Sequence, residues 1–255
     1  MLSEAFNELR HRDPFLFWVG GAMLLTLVVV LLLSIGDSRL ILGINPWVKP
    51  AKFLVSITIF LWTVAWFMPE TENRPRLRGV VRYVIGPAMV IEMICIITQV
   101  VRGTTLHFNV ATPFDGIIFG IMGNTIALNT LAMGVFFWII RRDTPPQRAG
   151  YIWGIRLGVV IFLLASLEGV MIVINNGHTV GAPDGGPGLP FVNWSTGHGD
   201  LRVAHFFGMH AMQALPLIGF LAKSRNLVVA TGILWFAVMS GLLLMALNGQ
   251  PLLEI

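Results

Sequence analysis

Seven long apolar runs follow one another along the chain, separated by short clusters of Arg, Pro, Gly and Asp. They cover residues 14–35, 51–68, 83–101, 117–140, 151–175, 201–222 and 227–247. A bilayer core of ~30 Å is crossed by about 20 apolar residues in helical conformation. The pattern therefore predicts an all-α fold, a seven-transmembrane-helix bundle forming a single domain over residues 1–255.

Polar residues interrupt these runs at helical spacing. In the third, Glu92 and Gln99 are seven apart and Arg102 follows three later. In the fifth, Glu168 and Asn175 are seven apart and His178 follows three later. Such intervals bring side chains close to one face of a 3.6-residue helix. The sixth run, "DLRVAHFFGMHAMQALPL", carries His205, His210 and Gln213. Gly208 would admit a close neighbouring helix, and Pro216 cannot donate to the carbonyl of Met212. At ~1.5 Å per residue, Glu92 lies about 16 Å, Glu168 about 11 Å, His210 about 15 Å, Asn124 about 12 Å and His205 about 7 Å from the ends of their helices expected on the outer side of the membrane.

A charge at mid-bilayer costs at least ~2.5–3.5 kcal/mol, and such residues turn to the bundle interior. The expectation is that Glu92, Glu168, His205 and His210 converge in one cavity. Asn and Gln also serve as interhelical glue, which suits Gln99, Asn124, Asn129 and Asn175 singly. Lys49 and Lys52 are expected to snorkel beside Trp47.

Composition agrees with a membrane protein: 55% of residues are hydrophobic, 12% are charged, and the mean hydropathy is +0.77. The start reads as a retained first span, because its apolar run is about twice a signal-peptide core. The sole cysteine, Cys95, excludes an internal disulfide and reads as a small buried residue.

Charge sets the expected orientation. Arg10, Arg12, Arg74, Arg76, Arg78, Arg82, Arg141, Arg142, Arg148, Lys223 and Arg225 fall on the N-terminal side, eleven in all. Arg39, Lys49, Lys52, Arg102 and Arg202, five in all, fall on the other. Basic loops stay cytoplasmic, so the N-terminus is expected inside and the C-terminus in the periplasm. The long segment "NGHTVGAPDGGPGLPFVNWSTGHGD" is then an outer loop, with enough aromatic content to pack as a lid. The basic balance gives no reason to expect nucleic acid; the lipid bilayer is the expected partner, with a small-molecule ligand from the periplasmic side as a further one.

Imidazole and carboxylate suit Zn, Fe or Cu. His205 and His210 are five apart, about 140° around the axis, so each needs partners from other helices. Haem needs only one or two axial ligands. The leading expectation is a metal or haem site in the outer half of the membrane. His205 and His210 would be its ligands, and Glu92 and Glu168 ligands or proton acceptors. Arg102, His107, Arg202 and Gln213 would border the cofactor. A proton-coupled carrier or receptor, and a purely structural subunit, are the alternatives. The last run has no lysine for a retinal Schiff base and no histidine pair of the ceramidase type.

The segments "INPWVKPAKFLVS", "QVVRGTTLHFN" and "GDLRVAHFFGMHAMQALPL" resemble an uncharacterised family of bacterial polytopic inner-membrane proteins. The resemblance implies a bacterial inner membrane and attaches no activity.

Overall fold

The computed structural model describes residues 2–141 and 145–254; Arg142, counted above in the basic belt, lies outside them. Among the described residues, seven helical segments are long and apolar enough to cross a membrane. The chain divides into two compact units, Met1–Arg141 and Arg142–Ile255. Four of the spans lie in the first unit and three in the second.

The first unit contains α1 (Leu2–Arg12), α2 (Pro14–Gly36), α3 (Val48–Phe67), α4 (Pro75–Val101) and α5 (Pro113–Ile139). Pro opens α2, α4 and α5, where a missing N–H costs nothing. Asp13 caps α2 through Leu16 N at 3.1 Å. The helix α2 packs on α3 at Gly20, where a Cβ would strike the Trp62 ring. Gly86 of α4 makes room for Phe15, since a Cβ there would fall 2.5 Å from the phenyl edge. The arginines near these helix starts are engaged, not merely solvated. Arg82 meets the fully buried Asp13 at 3.1 Å, Arg12 donates to the carbonyl of Trp66, and Arg78 donates to that of Arg12. A buried carboxylate is tolerated when it is paired in this way.

The second unit contains α6 (Ala149–Ile174), a short antiparallel pair β1 (Thr179–Val180) and β2 (Gly199–Asp200), α7 (Leu201–Met209), α8 (Ala211–Ala222) and α9 (Arg225–Leu247). Gly150, Gly154 and Gly158 recur every fourth residue on α6 and lie against the backbone of α8 at Gly219, Leu215 and Ala211. Small residues at this spacing let membrane helices approach backbone to backbone. The core beside them is Ile161, Ala165, Ala211, Leu215 and Met239, with Phe207 and Trp235 stacked at 4.4 Å. Gly208 lies against Ala165 and Met239, as the sequence suggested.

The sixth span is broken at His210, whereas Pro216 lies inside α8. The break therefore falls before the Met212 carbonyl that Pro216 leaves without its usual donor. Trp235 Nε1 donates to the carbonyl of Phe207 at 3.0 Å, supplying a donor next to the interruption. Backbone irregularity within a span is tolerated where neighbouring groups meet the freed backbone atoms in this way.

Candidate functional site

In the first unit the polar face of α4 is built as predicted. Glu92 and Gln99 are both buried, and Arg102 donates to Gln99 Oε1 at 2.6 Å. The partner that completes this end is Asp115. It accepts from Gln99 Nε2 at 2.9 Å and from Thr112 Oγ1 at 2.6 Å, and it pairs with Arg102. Thr112 in turn accepts from Asp115 N at 3.2 Å. Thr112 is thus the side-chain cap of α5, with Pro113 at the first helical position, and "TPFD" carries that signal in the sequence. Arg102 thus ties α4 to the start of α5.

Deeper in the same unit, Glu92 is 2% exposed and has the Thr125 hydroxyl of α5 at 3.1 Å. That hydroxyl also lies 2.9 Å from the carbonyl of Met122. Lys49 lies within electrostatic reach of Glu92, and its Nζ is 2.9 Å from His107 Nδ1. Lys49 is therefore engaged by the His107 ring. An ammonium can only donate, so His107 accepts at Nδ1 and, when neutral, carries its hydrogen on Nε2. In this geometry the ring keeps no lone pair for a metal, in keeping with a place beside a cofactor and not on its metal.

In the second unit, His205 reaches from α7 to α6, where its Nδ1 lies 2.7 Å from the carbonyl oxygen of Ala165. A carbonyl only accepts, so Nδ1 carries the hydrogen and Nε2 keeps its lone pair. The ring also lies 3.6 Å from where a Cβ on Gly169 would stand. Between those positions, Glu168 continues the buried face of Ile161 and Ala165. Glu168 is 4% exposed, and among the described residues neither of its carboxylate oxygens has a hydrogen-bond partner.

His210, at the helix break, donates through Nδ1 to the carbonyl of Phe206 at 2.8 Å and packs its ring on Phe206 at 4.1 Å. Its carbonyl accepts from Gln213 N at 3.1 Å, and the Gln213 residue is half-buried. The two histidines are thus fixed to different carbonyls, one on α6 and one on α7. Arg202 pairs with Asp200, the cap of α7, and donates to the carbonyl of Asn193 at 2.5 Å. Its guanidinium secures the long loop.

That loop is folded at both ends, in keeping with the expectation that it packs. Asp184 accepts from His178 N at 3.0 Å and Thr179 N at 2.9 Å, and pairs with His178 Nδ1 at 2.5 Å. Burial alone would raise the Asp184 pKa, but the hydrogen bonds and charge of His178 outweigh it and hold the carboxyl well below the usual carboxylate range.

Several expected members of the polar stripe stand elsewhere. Asn124 is exposed and donates back to Gly120 O at 2.8 Å. Asn175 is exposed and donates to the carbonyls of Gly177 and Thr179, just beyond its helix. The α6 pattern therefore does not repeat that of α4. Glu92 belongs to the first unit and Glu168, His205 and His210 to the second. Among the described residues no three His, Cys, Asp or Glu side chains gather as a metal-binding group.

Comparisons with protein-family models, with curated proteins and with solved structures return no match, so the site is read from its own chemistry.

Proposed function

We propose that this chain is a multi-pass protein of a bacterial inner membrane that binds haem or a single transition-metal ion at a buried His/Glu site, with the N-terminus cytoplasmic. In this reading His205 is the ligand, through Nε2. An Nδ1–H bond to a backbone carbonyl is the usual support behind a metal-ligating imidazole, because it fixes the tautomer and the ring. His210 is fixed in the same way and is the second candidate.

The observation that carries the reading is Glu168, 4% exposed with both oxygens unpartnered. A carboxyl so placed needs a positive partner: a proton, a metal ion or the cationic part of a ligand. Haem fits the ligand count better than a four-coordinate zinc ion, because it takes one or two protein ligands.

The test is the purified protein, examined for a Soret band and by elemental analysis for Zn, Fe and Cu. Stoichiometric haem or metal in the native chain, lost in His205→Ala, supports the reading. A colourless, metal-free protein that takes up neither haem nor metal on addition removes it.

A second reading rests on the Lys49–His107 contact and the buried Glu92, an ammonium, an imidazole and a carboxyl of the first unit. Such groups suit a proton-coupled carrier or a receptor for a small polar ligand. Uptake into proteoliposomes that depends on a proton gradient and is lost in Glu92→Gln would favour it.

A further inference from the structure

The long loop of the second unit carries a small hairpin from Gly188 to Ser195, closed by a bridge between those two residues. Leu189 N donates to Trp194 O and Asn193 N to Leu189 O, each at 2.8 Å. At its tip Phe191 is 69% exposed, the only large apolar side chain of the loop left so open among the described residues. Its φ is +66°, and that of Asn193 is +55°. A phenylalanine in this left-handed region is strained, because its Cβ crowds the following carbonyl.

The hairpin is anchored as well as strained. Arg202 holds the carbonyl of Asn193, Trp194 meets Phe206 edge-on at 5.4 Å, and Ser195 N donates to Asp200 at 2.8 Å. Asp200 is the cap of α7, where the sixth span begins. The base of the hairpin is therefore fixed at the boundary of a membrane span. From Gly185 to Gly197 the chain carries no charged residue.

A rigid, uncharged support that presents a strained phenyl ring gains nothing from water, which penalises exposed apolar surface. The interfacial layer of a bilayer accommodates aromatic rings. We infer that Phe191 is a membrane-interface anchor: the hairpin 188–195 lays its tip into the lipid interface on the side where α7 begins, and so holds the loop down over that end of the second unit. The occupant is lipid, because the base stands at the span boundary and the tip bears no charge for a polar partner.

The test uses the full chain in liposomes with a nitroxide at position 191 (Phe191→Cys in a Cys95→Ala background). A second nitroxide at position 198 (His198→Cys) reports an exposed site of the same loop. Should Cys95→Ala not fold, the native background serves, since Cys95 is buried at 3% exposure and the label reacts at exposed thiols. The anchor predicts collisions with oxygen several-fold above those with a water-soluble nickel chelate at 191, and the reverse order at 198. Nickel accessibility at 191 equal to that at 198 overturns it. So does a label shielded from both reagents, which would mean that protein covers the tip, from another copy or another partner.

Discussion

His205 on α7 donates its Nδ1 hydrogen to the carbonyl oxygen of Ala165 on α6, 2.7 Å away. The bond joins the two helices one turn below Glu168 and leaves Nε2 as the free lone pair of the ring. It follows that His205→Ala removes two things at once. The interhelical hydrogen bond contributes about 1 kcal/mol. A modest drop in the melting temperature in detergent is expected, together with complete loss of bound haem or metal. His205→Asn, which can still donate to Ala165, should recover much of the stability and none of the ligation.

Glu168 should behave in the opposite sense. An unsatisfied buried polar group costs about 1–3 kcal/mol. Replacing Glu168 by Leu removes that cost at similar volume, so the ligand-free protein should melt higher than the native chain. Cation or haem binding should fall at the same time. Calorimetry of both proteins, with and without added ligand, separates the effects. A Glu168→Leu protein that is destabilised without ligand would show that the carboxyl has a structural partner.

Gly154 faces the backbone of α8, and a Cβ there would lie 2.5 Å from the carbonyl oxygen of Leu215. Gly154→Ala must push the two helices apart, at a cost of about 1–3 kcal/mol for overpacking. Gly134→Ala, in α5, is the matched control, because nothing lies within 4 Å of its added methyl. Thermal unfolding in one detergent should show a clear loss for the first substitution and little change for the second.

Asp184 gives the long loop a defined pH dependence. Its pKa is lower in the folded loop than in an unfolded chain, where a carboxyl titrates near ~3.9. Its contribution is therefore fully present above about pH 4 and is lost as the pH falls through the lower folded value. Amide hydrogen exchange at His178 and Thr179 should quicken in that acid range. In Asp184→Asn the same amides should exchange faster at neutral pH and lose this part of the acid dependence.

Much of the fold was legible in the sequence because its signals are local. A run of apolar residues announces a span by itself, and Asp13-Pro14, Thr112-Pro113 and Ser224 announce helix starts by their chemistry. The glycines at 150, 154 and 158 were equally visible in the sequence. What they could not say was that α8 is the helix that meets them. The candidate site was legible only as a set of residues. The cost of burial predicts that Glu92, Gln99 and Glu168 turn inward, and they do. It also predicted the same for Asn124 and Asn175, which instead satisfy their amides on nearby backbone carbonyls and stay exposed. A short amide has that local option; a buried carboxylate has no backbone N–H to spare within a helix.

By itself, then, the sequence determined seven helices long and apolar enough to cross a membrane and the position of each polar group along its helix, because hydrocarbon acts on every residue independently of its partners. Tertiary structure decided the partners. It gave Gln99 and Arg102 to Asp115, Lys49 to His107, and His205 to the carbonyl of Ala165, and it left Glu168 without one. Those pairings depend on distances between helices remote in the chain, and periodicity along one helix carries no information about them.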